Sequence, residues 1–221
     1  FTALAALPLQ APDACVAELD RAVTQLGLRG ALLFSNINGT ALSDPSFWPL
    51  YARTEELGVP LFVHPITPVN IDAMQRHRLV PVVGFLFDTS LAALELVYAG
   101  VMERFPKLRI VLGNLGGTIP YIAGRADLAY TLYPELQGTL KEMPSTYLRR
   151  MYFETAGMPD VEAVMLAIRF AGADHVLLGT DYPQQIADVS GTLRMIQSLP
   201  IEVPQQERIP GLNAAALLSI D

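Results

Sequence analysis

The 221 residues are 51% hydrophobic, with 15 basic against 22 acidic side chains, a net charge of −7 and one cysteine. That apolar share builds a core and excludes a disordered chain, and the acidic balance excludes a protein that neutralises nucleic-acid phosphates. Cys15 cannot form an internal disulfide and reads as a small helix-packing residue; no apolar run reaches the ~18 residues that cross a bilayer, and FTALAALPLQ lacks the basic flank of a signal peptide. The expectation is an intracellular, cytoplasmic globular protein.

The chain opens at Phe1 inside a predicted strand, 2–7, which suggests residues missing upstream. Pro12 and Asp13 open a helix with Val16, Leu19, Val23 and Leu26 on one face, ended by Gly27. Residues 31–34 form a second apolar run, and Asn36, Asn38 and Gly39 a polar loop. Asp44-Pro45 starts a helix burying Phe47, Leu50, Tyr51, Thr54 and Leu57, stopped by Gly58. Residues 61–64 are a strand, and 65–87 read as a long loop over the top of the fold. Asp88-Thr89 is expected to cap the next helix, whose stripe is Leu91, Leu94, Tyr98, Val101 and Phe105. A strand over 108–112, a helix over 118–130, an undetermined stretch over 131–148, a strand at 151–153, a helix over 160–171 and a strand over 175–178 follow. The tail is helical, broken at Pro204 and Pro210.

Six strand–helix units average about 37 residues each, a normal length for a right-handed βαβ unit. Neither a repeat nor a linker interrupts them, so residues 1–221 are expected to be one domain. Short apolar strands between amphipathic helices imply a parallel sheet covered by helices. An open nucleotide-binding sheet would carry G-x-G-x-x-G after a strand, and none occurs. A (β/α)8 barrel puts polar residues just past the C-terminal ends of its strands, where this chain's unusual residues lie.

His64 follows Leu-Phe-Val, Asn114 follows Ile-Val-Leu-Gly and Asp181 follows Val-Leu-Leu-Gly-Thr. In a parallel barrel they converge on one mouth despite separations of 50 and 67 residues. An imidazole and a carboxylate there suit a divalent cation. Each has a plainer reading: His64 could cap backbone groups, Asp181 could bond local amides in a turn, and Asn114 could cap the following helix. His77, in Gln75-Arg76-His77-Arg78, reads as solvated. His175 opens a strand at the far end and reads as structural.

LPLQAPDACVAELDRAV, LFVHP, GFLFDTSLAALELVYAGVMERFPKLRIVL, NLGGTIPYIAGRAD and VLLGTDYP together resemble the amidohydrolase-related metal-dependent decarboxylases, over nearly the whole chain. The resemblance implies a distorted TIM (β/α)8 barrel of metal-dependent hydrolase type, with one divalent metal, zinc first and manganese second, at its mouth. It implies that His64 and Asp181 are metal ligands, that Asp181 shares in proton transfer, and that Arg125 lies at a subunit contact and reaches a substrate carboxylate. A helix-surface ion pair with Asp127 is the plainer reading of Arg125.

Two departures accompany the resemblance. The His-x-His pair of the first barrel strand is absent, so the barrel is expected to lack its first strand or strands in this chain. Asn114 stands where relatives carry the histidine base; asparagine can position a water but cannot take its proton. With only His64 and Asp181 as ligands, this chain is expected to bind metal weakly or not at all. The implied activity is non-oxidative decarboxylation of a small unsaturated or aromatic carboxylic acid. The alternatives are a hydrolase or hydratase on the same scaffold, or a pseudoenzyme that binds a small acid or a partner without turnover. No membrane or nucleic-acid partner is expected. A homodimer is compatible with the unpaired strand edges of a truncated barrel, which also predict poor solubility.

Overall fold

In the computed structural model, which describes residues 2–68 and 71–220, the chain runs β1 (Ala5–Ala6), α1 (Pro12–Asp20), β2 (Ala31–Phe34), a small antiparallel pair β3 (Asn36–Ile37) and β4 (Thr40–Ala41), and α2 (Trp48–Leu57). Then come β5 (Pro60–His64), α3 (Phe85–Tyr98), α4 (Val101–Arg104), β6 (Arg109–Leu112), α5 (Ile119–Leu132) and α6 (Pro144–Leu148). The last third holds β7 (Tyr152–Glu154), α7 (Val161–Ala171), β8 (Val176–Leu177), α8 (Val189–Gln197), α9 (Val203–Glu207) and α10 (Asn213–Leu218).

Six strands form one sheet in the order β1-β2-β5-β6-β7-β8, every pair parallel. Spatial order follows chain order without reversal. A doubly wound sheet reverses at its switch point, whereas a barrel wall does not. The period-two alternation of a strand sorts the side chains. Ala31, Leu33, Leu61, Val63, Ile110, Leu112 and Phe153 are buried in the core between sheet and helices. Phe62, Val111 and Leu177 point to the opposite face, where Ala214 and Leu217 of α10 pack on them. This second layer is the inside of the barrel wall.

The helices form where their caps and apolar spacing require. Asp44 accepts the Ser46 N–H at 2.9 Å at the start of the turn leading into α2, and Asp160 accepts the Glu162 N–H at 2.7 Å ahead of α7, each satisfying a first-turn donor. Gly58 ends α2 in the left-handed region at φ 64°, which costs glycine nothing. Leu50, Tyr51 and Thr54 turn inward, and the Tyr51 hydroxyl donates to the Leu42 carbonyl at 2.6 Å.

Several expectations need correction. The predicted strand 2–7 is only Ala5–Ala6, and Leu26 is exposed. Within 65–87, Val69 and Asn70 lie outside the described residues, but Asp72–Met74, Arg76–Arg78 and Val80–Gly84 are helical turns and α3 begins at Phe85. The helical stretch Arg76–Tyr98 is therefore long and apolar enough, by length and composition, to cross a membrane, contrary to the sequence reading. Its buried residues Asp88, Thr89, Ser90, Ala92, Ala93, Leu96 and Val97 face protein, as in a core helix. Asp88 is no cap: it sits inside α3 and takes hydrogen bonds from the Ser35 hydroxyl and, at 2.9 Å, from Asn36 Nδ2. Of the expected inward stripe, Val101 and Phe105 are buried and Leu94 packs on the core, whereas Leu91 is exposed and lines an outer cleft with Leu94 and Tyr98. The helix is apolar nearly all round, so periodicity alone could not choose its buried face. The undetermined stretch 131–148 contains α6 and a helical turn at Pro134–Leu136.

Candidate active site at the strand ends

β5, β6, β7 and β8 end around one cavity of about 430 Å³, lined by His64, Gly113, Glu154, Gly179 and Asp181 among others. The parallel sheet brings these exits together because all four strands point the same way. Leu32, Phe62, Val111, Leu177 and Leu218 supply its apolar wall. His64, which is exposed, and Asp181 both line this cavity.

Asn114 joins them from β6. A Cβ built on Gly157 would lie 3.1 Å from Asn114 Nδ2 and 3.7 Å from Asp181 Oδ2, so both side chains come to one spot beside the β7 exit. Both residues hold the left-handed backbone that side chains avoid, at φ 53° and φ 60°. Each such residue costs on the order of 1 kcal/mol, and such conformations gather where a site fixes side-chain direction. Asn114 does not cap the next helix, as one sequence reading had it. Its Nδ2 donates to the Ala156 carbonyl at 2.8 Å, and Thr118 occupies the cap position of α5.

The residue that sequence reasoning missed is Glu154. The predicted strand stopped at Phe153, one residue short. Its carboxylate accepts the Asn114 N–H at 2.9 Å on one oxygen and the Ala156 N–H at 2.8 Å on the other. Burial pushes its pKa up to about 7; the two amides pull it down, and the Asp181 charge adds a further upward push. A glutamate directly after an apolar strand pair was the available signal, since that position points past the strand end.

His64 Nδ1 lies 2.6 Å from the Pro65 carbonyl. A carbonyl only accepts, so Nδ1 is the donor and Nε2 is the nitrogen left to bind a cation. Histidines that ligate metals commonly have their other nitrogen fixed in this way. His64 and Asp181 therefore suit a divalent cation in donor type. They fall short in number: among the described residues no group of three His, Cys, Asp or Glu side chains could hold a metal ion, and a tetrahedral site takes at least three protein ligands.

Arg125 lies elsewhere. It is exposed on α5 and lines the outer cleft with Phe87, Leu91, Leu94, Tyr98 and Ile122. Its predicted partner Asp127 instead accepts the Ser145 N–H at 2.8 Å. His77 is exposed. His175 stacks on Tyr152 at 4.7 Å between ring centroids, before β8 and at the end of the sheet away from the cavity.

A family model described as amidohydrolase matches residues 1–220. The chain belongs to the amidohydrolase family. Within it, the chain is 32% identical to a 2-amino-3-carboxymuconate-6-semialdehyde decarboxylase of Dictyostelium discoideum, over 100% of this chain and 62% of that protein. It superposes with a TM-score of 0.93 on the crystal structure of 5-carboxyvanillate decarboxylase from Sphingomonas paucimobilis, at 29% identity, over 100% of this chain and 67% of that one. A dihydroxybenzoic acid decarboxylase from Polaromonas, solved with bound manganese and the inhibitor 2-nitroresorcinol, matches with a TM-score of 0.89 at 27% identity, over 99% of this chain and 69% of that one. The six-stranded wall of this amidohydrolase is accordingly part of a distorted TIM barrel, and its chain spans about two thirds of the length of these relatives.

Proposed function

We propose that this amidohydrolase is a non-oxidative decarboxylase of a small aromatic or unsaturated carboxylic acid. The observation that carries this reading is the convergence of His64, Asn114, Glu154 and Asp181 on the strand exits of a wall shared with decarboxylases. In the reaction the bond between ring carbon and carboxylate breaks, its electron pair stays on the carbon, a proton takes the vacated position and carbon dioxide leaves.

His64 Nε2 and Asp181 are the two donors this chain offers to a divalent cation, zinc or manganese, which when bound would neutralise substrate negative charge. Asp181 is also assigned a share in the proton transfer, passing to the carbon a proton drawn from solvent; it meets Asn114 beside Gly157. Asn114 orients the acid by hydrogen bonding and moves no proton. The apolar wall of Leu32, Phe62 and Val111 excludes water around the ring, which strengthens each polar contact. The outer cleft of α3 and α5, with Arg125 at its rim and exposed Phe87 and Leu91, is proposed as a homodimer face.

The test is incubation of the protein with 2,6-dihydroxybenzoate and manganese, following carbon dioxide. Release that is lost in Asp181→Asn supports the reading, and a hydrated or ring-opened product without carbon dioxide replaces it with the hydratase or hydrolase alternative. One observation favours a second, non-catalytic reading: Asn114 stands in place of a base and its side-chain amide is held on Ala156. Binding of the acid without any product would establish that reading.

A further inference from the structure

β6, β7 and β8 end side by side, and their last register pairs are Leu112 opposite Phe153 and Glu154 opposite Leu177. Past these pairs the ladder stops and the backbone groups of the exits need other partners. Glu154, the last residue of β7, supplies two of them, one oxygen to Asn114 and one to Ala156. Both carboxylate oxygens are thus engaged by main chain. Thr155, the next residue, ties the other side: its hydroxyl donates to the Gly179 carbonyl at 2.9 Å and accepts the Gly179 N–H at 3.1 Å.

The room for this carboxylate comes from two glycines. A Cβ on Gly179 would fall 1.6 Å from Glu154 Oε2, and one on Gly113 would fall 3.3 Å from Oε1. Gly113 immediately precedes Asn114, and Gly179 stands two residues before Asp181. The carboxylate is wedged between the backbones that lead to the two left-handed site residues.

The geometry points to Glu154 as a positioning residue that fixes Asn114 and Asp181 relative to one another across three strand exits, with Gly113 and Gly179 bare of side chains to admit its carboxylate. A glutamine would turn an NH₂ group toward one of the two amides, and an aspartate is one methylene too short to reach both. The assignment rests on the decarboxylase reading only for its effect on turnover, since the arrangement itself is read from the chain.

The test uses amide NMR, thermal melts and turnover on the whole chain. In Glu154→Gln the Asn114 and Ala156 amide resonances are expected to shift, while that of Gly191, which bonds Asp188 at an exposed helix start, stays in place. Gly179→Ala is expected to lower the melting temperature strongly in the wild type and only slightly when Glu154→Ala has emptied the space. Where the wild type decarboxylates, Glu154→Asp is expected to lower kcat on the order of a hundredfold through misplacement, with KM little changed. Unmoved Asn114 and Ala156 resonances in the glutamine variant, or additive effects of the alanine pair, would overturn the assignment. A wild type that turns over no acid sinks the decarboxylase reading, and the resonances then decide the positioning role by themselves.

Discussion

Asn114 donates its side-chain N–H to the Ala156 carbonyl at 2.8 Å, which directs the amide group toward the β7 exit beside Asp181. An imidazole in the same place could make that bond through one nitrogen and offer the other to a reacting group. If Asp181 alone moves the proton, the reaction runs without a second titratable partner at this position. Asn114→His is expected to raise the rate of carbon dioxide release by about 10²-fold or more, the usual contribution of a positioned acid or base. Initial rates at neutral pH check it, and an unchanged rate would remove this position from the proton path.

Glu154 makes stability depend on pH in a definite direction. Its folded pKa, about 7, stands above the ordinary glutamate value of 4.5, so between those values the folded chain holds more protons than the unfolded one. Stability therefore falls as pH rises through this window, and the unfavourable contribution is fully present above about pH 7. Relative to wild type, Glu154→Gln is expected to gain no more than about 3 kcal/mol on moving from pH 4.5 to pH 8. Urea unfolding at the two pH values reads this difference, and parallel curves would contradict it.

With His64 and Asp181 as the available donors, metal retention should be weak. After dialysis, residues 1–221 are expected to hold well under one equivalent of zinc or manganese, because two protein ligands do not complete a tetrahedral site. Elemental analysis checks this. A full equivalent that survives in both His64→Ala and Asp181→Asn would show that the ion sits elsewhere.

Asp88 should matter for stability although it caps no helix. It is buried and takes hydrogen bonds from Ser35 and Asn36, and Ser35 in turn accepts the Ile66 N–H at 3.1 Å, two residues past His64. Asp88→Ala strands these donors in the interior and is expected to destabilise by about 2–4 kcal/mol. Denaturant melts measure it, and a change below about 0.5 kcal/mol, as surface substitutions give, would show that the network is dispensable.

The outer face of α3 and α5 yields a prediction about assembly. Phe87, Leu91, Tyr121, Leu128 and Leu132 are exposed on these two helices, and grouped exposed apolar side chains mark interaction sites. Leu91→Asp is expected to shift sedimentation from dimer to monomer without lowering the melting temperature of the monomer. A wild type that sediments as a monomer at high concentration would remove the proposed interface.

The sequence by itself determined the alternation of strands and helices, the parallel wall, the family, and the positions of His64, Asn114 and Asp181 at strand exits. These follow from local signals: periods of 2.0 and 3.6, caps such as Asp44 and Gly58, and motif spelling. Tertiary structure alone decided which face of α3 is buried, because an all-round apolar helix gives periodicity nothing to choose between until the sheet and α6 are in place. It alone decided that Asp88 serves Ser35 and Asn36, more than fifty residues away in the chain. It alone decided what Glu154 does, since that role depends on two amides and two glycines that meet only when three parallel strands end at one level.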